Sequence, residues 1–261
     1  MDALPKALAY RWRNGAMEAI AQPHRVALDG LLNIDRQKAA LVQNTRQFVA
    51  GAPANHALLT GARGTGKSSL VKALLGEFSD QGLRIVEVPP HELTQLHEVV
   101  RPLRDRAERY ILYVDDFSVA ANDPALAALK AALDGDIEEP AENVLLYATS
   151  NRRHLIPELA AENQQYSWQG DELHPGETTE EKISLSERFG LWLSFPPYSQ
   201  DQYLAMVRAH LQQLRVTQWD EPLQKLALRW ALNRTSRSGR VAQQFARDWA
   251  GRSSTGQGQD Q

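Results

Sequence analysis

Short blocks of nearly continuous apolar residues recur through the first three quarters of the chain, separated by stretches whose apolar positions fall three and four apart. The blocks are "HALLT" from His56, "LRIVEV" from Leu83, "YILYVD" from Tyr110, "NVLLYATS" from Asn143 and "LWLSF" from Leu191. Each has the length of a strand, and runs that are apolar at nearly every position fit strands covered on both faces, as in parallel sheets. Helical spacing follows Lys67 and recurs in "HELTQLHEVVRPLRDRAER" and "DPALAALKAAL"; in the last, Asp123 stands as N-cap with Pro124 at the first helical position. Upstream, "DRQKAALVQNTRQFVAG" predicts a helix ended by Gly51. Strands alternating with helices in this way predict an α/β domain, a parallel sheet between layers of helices.

After "FPPYS" the pattern changes. From Gln200 to Trp249 no strand candidate remains, and apolar residues recur at helical intervals: Tyr203, Met206 and Val207, then Leu223 and Leu226, then Val241, Phe245 and Trp249. The expected organisation is an N-terminal helical segment over 1–50, an α/β domain over 51–197, a small all-helical lid over 198–250 and a polar, disordered tail over 251–261. A long polar stretch, "ELAAENQQYSWQGDELHPGETTEEKIS", interrupts the alternating region; loops of that length in a compact domain are functional or mobile as a rule.

The chain has 261 residues, 43% hydrophobic and 23% charged, the composition of an ordinary globular protein. It contains no cysteine, which excludes disulfides and thiolate metal sites. No apolar run approaches the roughly 20 residues that cross a bilayer, and "MDALPKALAYRWRNGAMEAIAQ" lacks the apolar block of a secretory signal. The expectation is a cytoplasmic protein without a membrane partner. A net charge of −3 gives no global attraction to nucleic acid, but the charge is unevenly spread. From Glu158 to Lys182 there are seven acidic residues and one basic, and from Tyr198 to Arg252 nine basic and four acidic.

The candidate chemistry begins at "GARGTGKS", residues Gly61, Ala62, Arg63, Gly64, Thr65, Gly66, Lys67 and Ser68, with Ser69 following. The spacing is that of a phosphate loop: glycines let successive backbone N–H groups turn toward phosphate oxygens, Lys67 supplies a point charge, and the Ser68 hydroxyl is a ligand for Mg²⁺. The loop follows a strand and opens a helix, whose positive N-terminal end adds to the anion site. A second strand, "ILYVDD", delivers Asp115 and Asp116 to its C-terminal end, where open α/β sheets bind ligands. Asp115 is placed to hold the metal, and Asp116 to polarise an attacking water. A third strand, "LLYATSN", ends in Asn151, whose amide is a partner for the γ-phosphate or the water.

In this order and spacing the motifs resemble those of the AAA+ ATPases, over most of the chain. The resemblance implies a sheet of order 5-1-4-3-2 in a three-layer fold, preceded by N-terminal helices and followed by a helical lid, with ATP and Mg²⁺ bound where subunits of an oligomer meet. It makes "SERFG" an arginine-finger segment with Arg188 as the finger, and "SRSGRVAQQF" a second sensor with Arg240 as its arginine. It also places "LDGLLNIDRQK" at the adenine, through Leu28 and Leu31. More narrowly, "ELHPGE" with "EEKISLSERFGLWLSF" is similar to a bacterial group of ATP-binding AAA+ proteins without assigned function. Two departures bear on mechanism. Most AAA+ proteins carry Glu where this chain has Asp116, one methylene shorter, which implies slow hydrolysis. "VPPHELTQLHE" has no aromatic residue where threading unfoldases place one, which disfavours threading of a polypeptide.

Of the weaker signals, Trp12 between two arginines, and Tyr166 near Trp168, are candidates for base stacking as well as for packing. His174 lacks partners at metal-ligand spacing and reads as a turn residue. Three functions follow as expectations: an oligomeric ATPase acting on an unidentified protein client, a nucleotide-gated binding module with little turnover, and a nucleic-acid-associated protein that uses the basic lid.

Overall fold

Asn14 and Gly15 both adopt positive φ, 51° and 73°, and this two-residue turn folds the N-terminus into a hairpin of β1 (Ala9–Arg13) and β2 (Ala16–Ala19). Residues 1–50 are therefore not a helical segment throughout. "AYRWR" alternates with a period of two, burying Tyr10 and Trp12, and the Asn-Gly turn fits the twist of paired strands. In this computed structural model residues 4–117, 128–130, 133, 141–151, 167–169, 172–174 and 188–254 are described.

A short 3-10 turn at Leu28–Gly30 precedes α1 (Asp35–Val49). There follow β3 (Ala57–Gly61), α2 (Lys67–Phe78), β4 (Leu83–Glu87), α3 (Leu96–Val100), β5 (Arg109–Val114), β6 (Val144–Ser150), the short pair β7 (Ser167–Gln169) and β8 (Glu172–His174), and β9 (Leu191–Phe195). The chain ends in α4 (Gln200–Gln213), α5 (Glu221–Asn233) and α6 (Gly239–Ser254). Among the described residues no helix is long and apolar enough to cross a membrane.

Seven strands form one sheet in the order β2-β1-β4-β5-β6-β3-β9. Its last five reproduce the expected 5-1-4-3-2 order, and the hairpin extends it beyond β4, with β1 parallel to β4 and β2 antiparallel to β1. Most of the residues from β3 to β6 are buried, as strands covered on both faces require. One face packs Leu58, Val86, Leu112, Val114 and Leu146 against Leu96, Val99 and Phe189. On α1, Asn44 and Thr45 hydrogen-bond the buried Tyr147 hydroxyl of β6 at 2.9 and 3.0 Å. That hydroxyl would be costly to leave without a partner.

The long helix expected from His91 to Arg109 does not form. Pro90–Gln95 is a 3-10 turn, α3 is a single short helix followed by turns, and Arg109 already belongs to β5. Pro102 has no N–H for a helical bond, and Asn143 Nδ2 donates to the carbonyls of Leu103 (2.8 Å) and Arg106 (3.1 Å), satisfying backbone that a helix would have used. Most of "DPALAALKAAL", including Asp123 and Pro124, lies outside the described residues.

The chain divides into two compact units. One comprises Met1–Leu31, Asp35–Gly61 and Lys67–Ser194 and carries the sheet. The other joins Phe195–Gln261 to Leu32–Ile34 and Ala62–Gly66. In it, α4 opens with a reciprocal capping box of Ser199 and Gln202. The buried Tyr203 hydroxyl donates to Ala227 O on α5 at 3.1 Å. Trp230, Phe245 and Trp249 form an aromatic row between α5 and α6, edge-on and then stacked, with ring centres 5.8 and 6.4 Å apart.

Candidate functional site

At the C-terminal end of β3 the chain enters the glycine-rich loop, and the backbone explains its composition. Gly61, Gly64 and Gly66 have φ of 133°, 73° and 96°, a region that side chains disfavour. Arg63 is exposed, and Thr65 Oγ1 closes the turn onto Ala62 O at 2.8 Å. Residues of the helical unit enclose Ala62–Gly66. The Tyr198 hydroxyl donates to Thr65 O at 2.7 Å, and Gly239 N donates to Gly64 O at 2.9 Å. A Cβ on Gly64 would stand 2.6 Å from Ser238 Cβ, and one on Gly66 3.4 Å from Ile34 Cδ1. Gly64 is thus required twice, by its backbone angle and by Ser238. Arg240 is exposed and is the next residue after the one bonded to the loop.

Within the sheet unit, α2 begins at Lys67, which is 5% exposed. Its Nζ donates to Gly61 O at 2.8 Å and to Asn151 Oδ1 at 3.1 Å. Ser68 Oγ donates to Asp115 Oδ1 at 2.7 Å, and Thr149 Oγ1 donates to the same oxygen at 2.6 Å. Burial raises the pKa of Asp115, but the Thr149 and Ser68 hydroxyls, with Tyr113 and the Lys72 charge, outweigh it and hold the carboxyl below its ordinary value. Burial, and next the Asp115 charge, push the Tyr113 phenol far up, so it stays neutral.

Asp116 adopts φ 55°, its N–H bonds to Thr149 Oγ1 at 3.0 Å, and its Oδ1 accepts from Asn151 Nδ2. Lys67, Ser68, Asp115, Asp116 and Asn151, widely separated in sequence, therefore lie in one hydrogen-bonded cluster at the C-terminal ends of β3, β5 and β6, with Ser69 half-buried in the first turn of α2. Asp115 carries two hydroxyl donors on one oxygen and stays ionised, and Lys67 brings an ammonium to the Gly61 carbonyl at the end of β3. These oxygen ligands and this cation fit a magnesium-bound polyphosphate.

Thr149 is the residue that motif reading missed. Val114 pairs with Ala148 across β5 and β6, so the next residues, Asp115 and Thr149, are level. The hydroxyl in "YATSN" was visible, but its partner depends on strand order. Ile34, Tyr198 and Ser238 were missed for the same reason.

The remaining candidates lie elsewhere. Arg188 precedes β9, whose Leu191 N bonds to His56 O at 3.1 Å, at the N-terminal end of β3. The five residues of β3 at about 3.3 Å each separate that end from the loop by roughly 15 Å. Leu28 opens the 3-10 turn that rests against α2 and Leu31 follows it, both half-buried. Trp12 is core: it is 4% exposed and its indole N–H bonds to Gln95 Oε1 at 3.0 Å, which removes it as a base-stacking platform. Tyr166 and most of the acidic stretch lie outside the described residues, as do the side chains of Trp168 and His174. Among the described residues no group of three His, Cys, Asp or Glu is arranged to hold a metal.

Comparison with known families matches residues 5–253 to a family described as "Protein of unknown function (DUF815)". The chain belongs to that family. No curated protein matches it. Among solved structures, a RuvB variant from Thermotoga maritima aligns at 14% identity and a TM-score of 0.59, over 88% of this chain and 66% of that one. An Orc1 protein from Aeropyrum pernix, solved with DNA, aligns at 17% identity and a TM-score of 0.60, over 88% of this chain and 64% of that one. The DUF815 chain thus spans just under two thirds of these structures. At such identities the likeness concerns the fold alone, which this chain shares with those RuvB and Orc1 structures.

Proposed function

We propose that this protein binds Mg·ATP at the glycine-rich loop and hydrolyses it slowly where two copies of the chain meet, using the cycle to act on a protein client. The observation that carries this reading is the linked cluster of Lys67, Ser68, Asp115, Thr149, Asp116 and Asn151 at the carboxyl end of the sheet. In it Lys67 binds phosphate oxygens, and Ser68 and Asp115 would hold Mg²⁺. When bound, the metal would neutralise charge on the phosphates. Asp116 and Asn151 orient the attacking water, and Arg240, next to the loop-bound Gly239, lies near the phosphates. The preference for adenine, and contact through Leu28 and Leu31, rest on the resemblance of the motifs to those of the AAA+ ATPases.

Arg188 belongs to the opposite end of its own sheet, so as a finger it acts on a neighbouring copy. The expected result is that Lys67→Ala abolishes ATP binding in calorimetry, while Arg188→Ala binds normally and loses on the order of 10³-fold in phosphate release. Full turnover by a strictly monomeric preparation would contradict the shared site.

The geometry at Asp116 supports a second reading, a nucleotide-gated binding module. Its carboxylate is one methylene shorter than glutamate, and it already accepts a hydrogen bond from Asn151 on a left-handed backbone. Single-turnover assays separate the two: ATP left intact over hours, with and without candidate partners, favours the switch.

A further inference from the structure

Beyond Arg240, which the proposed nucleotide site uses, the outward face of α6 has among the described residues a composition that neither nucleotide binding nor packing uses. Val241, Ala242, Phe245 and Ala246 are buried, while Arg240, Gln243, Gln244, Arg247 and Gly251 are exposed. At 100° per residue these five fall in one stripe, and from Arg240 to Gly251 it runs about 16 Å. No carboxylate lies on it: Asp248 stands at its flank and is paired with Arg252 at 3.0 Å. The turn that leads into α6, "RTSRSG", adds exposed Arg234 and Arg237 with Thr235. Arg234 is stacked on Trp230, 3.5 Å from the ring centre. Arg234, Arg237, Arg240 and Arg247 form no ion pair among the described residues.

Arginine and glutamine are the side chains that read base edges by paired hydrogen bonds, and arginine, serine and threonine bind phosphates. A helix about 16 Å long that presents them on one face, fixed from behind by an aromatic row, suits a major groove about 12 Å wide. Screening confines surface charge to about 10 Å, so the local excess of positive charge matters more than the chain's net −3. We infer that α6 and the turn before it form a docking surface for duplex DNA, with Arg234, Arg237 and Arg247 on phosphates and Gln243 and Gln244 toward base edges. This is independent of ATP turnover, because Gln243, Gln244 and Arg247 are not part of the nucleotide cluster.

The test is fluorescence polarisation of the full chain with labelled 30-base-pair duplexes of varied sequence, at about 20–200 mM salt. Wild type should bind at low salt, with log affinity falling by roughly 3 per log unit of salt, as expected for three to four neutralised phosphates. Arg247→Glu should lose roughly tenfold or more at low salt. The Gln243→Ala, Gln244→Ala double variant should weaken binding less and flatten its dependence on sequence. Lys67→Ala should bind DNA without nucleotide, so failure of the ATPase reading leaves this result standing. Absence of binding at low salt overturns the inference, as does binding that Arg247→Glu leaves unchanged in a variant with the wild-type melting temperature. Equal affinity for single strands or an RNA hairpin overturns the groove reading. A change of oligomeric state in Arg247→Glu without DNA binding by wild type would assign the face to a second copy of this chain and overturn it too.

Discussion

Asp115 illustrates how single residues are tuned here: burial opposes its charge, and two hydroxyls on one oxygen restore it. His56 shows the reverse. Its Nδ1 accepts the backbone N–H of Leu146 at 2.9 Å, and burial lowers its pKa from 6.5 to about 4. The unfolded chain takes up this proton below about pH 6.5 and the folded one only near pH 4. Stability should therefore fall as pH drops through that window, by at most about 3 kcal/mol. His56→Asn, which keeps a neutral acceptor, should flatten the pH dependence of urea midpoints between pH 4 and 6.5. Gly64→Ala should abolish ATP binding, and Ser238→Gly should rescue it only in part, since removing the clash leaves about 1 kcal/mol of backbone strain at φ 73°; calorimetry on the double variant checks this. The glycine-rich loop was legible from "GARGTGKS" because the residues that shape it are contiguous in the chain, whereas Thr149 meets Asp115 from a neighbouring strand.

At the scale of elements, periodicity identified the five strands of the expected sheet and the helices of the lid, and failed where a local pattern met a long-range constraint. The helical spacing from His91 to Arg109 yielded to Pro102 and to the Asn143 amide. The hairpin of β1 and β2 carried its own signal, Asn-Gly between alternating residues. Helix α4 starts where Ser199 and Gln202 satisfy each other's backbone N–H groups. Ser199→Ala should cost about 1 kcal/mol of unfolding free energy in the helical unit, measured by urea titration, because one N-terminal donor loses its acceptor.

For the whole molecule, the decisive feature is that the loop and Arg188 sit at opposite ends of β3. If the site is shared between copies, mixing Lys67→Ala with Arg188→Ala, each inactive alone, should restore up to about a quarter of wild-type phosphate release through interfaces that combine an intact loop with an intact finger. No recovery at concentrations where the copies associate would argue against sharing. By itself the sequence determined the five strands of the expected sheet, the helices of the C-terminal unit, the glycine-rich loop and the acidic strand end, because each is written in a few to a dozen or so contiguous residues through spacing and backbone preference. Tertiary structure alone decided that Thr149 meets Asp115, that Ile34, Tyr198 and Ser238 close on the loop, and which end of the sheet holds Arg188. Those facts depend on strand order and register, which bring together residues far apart in the chain and leave no local pattern to read.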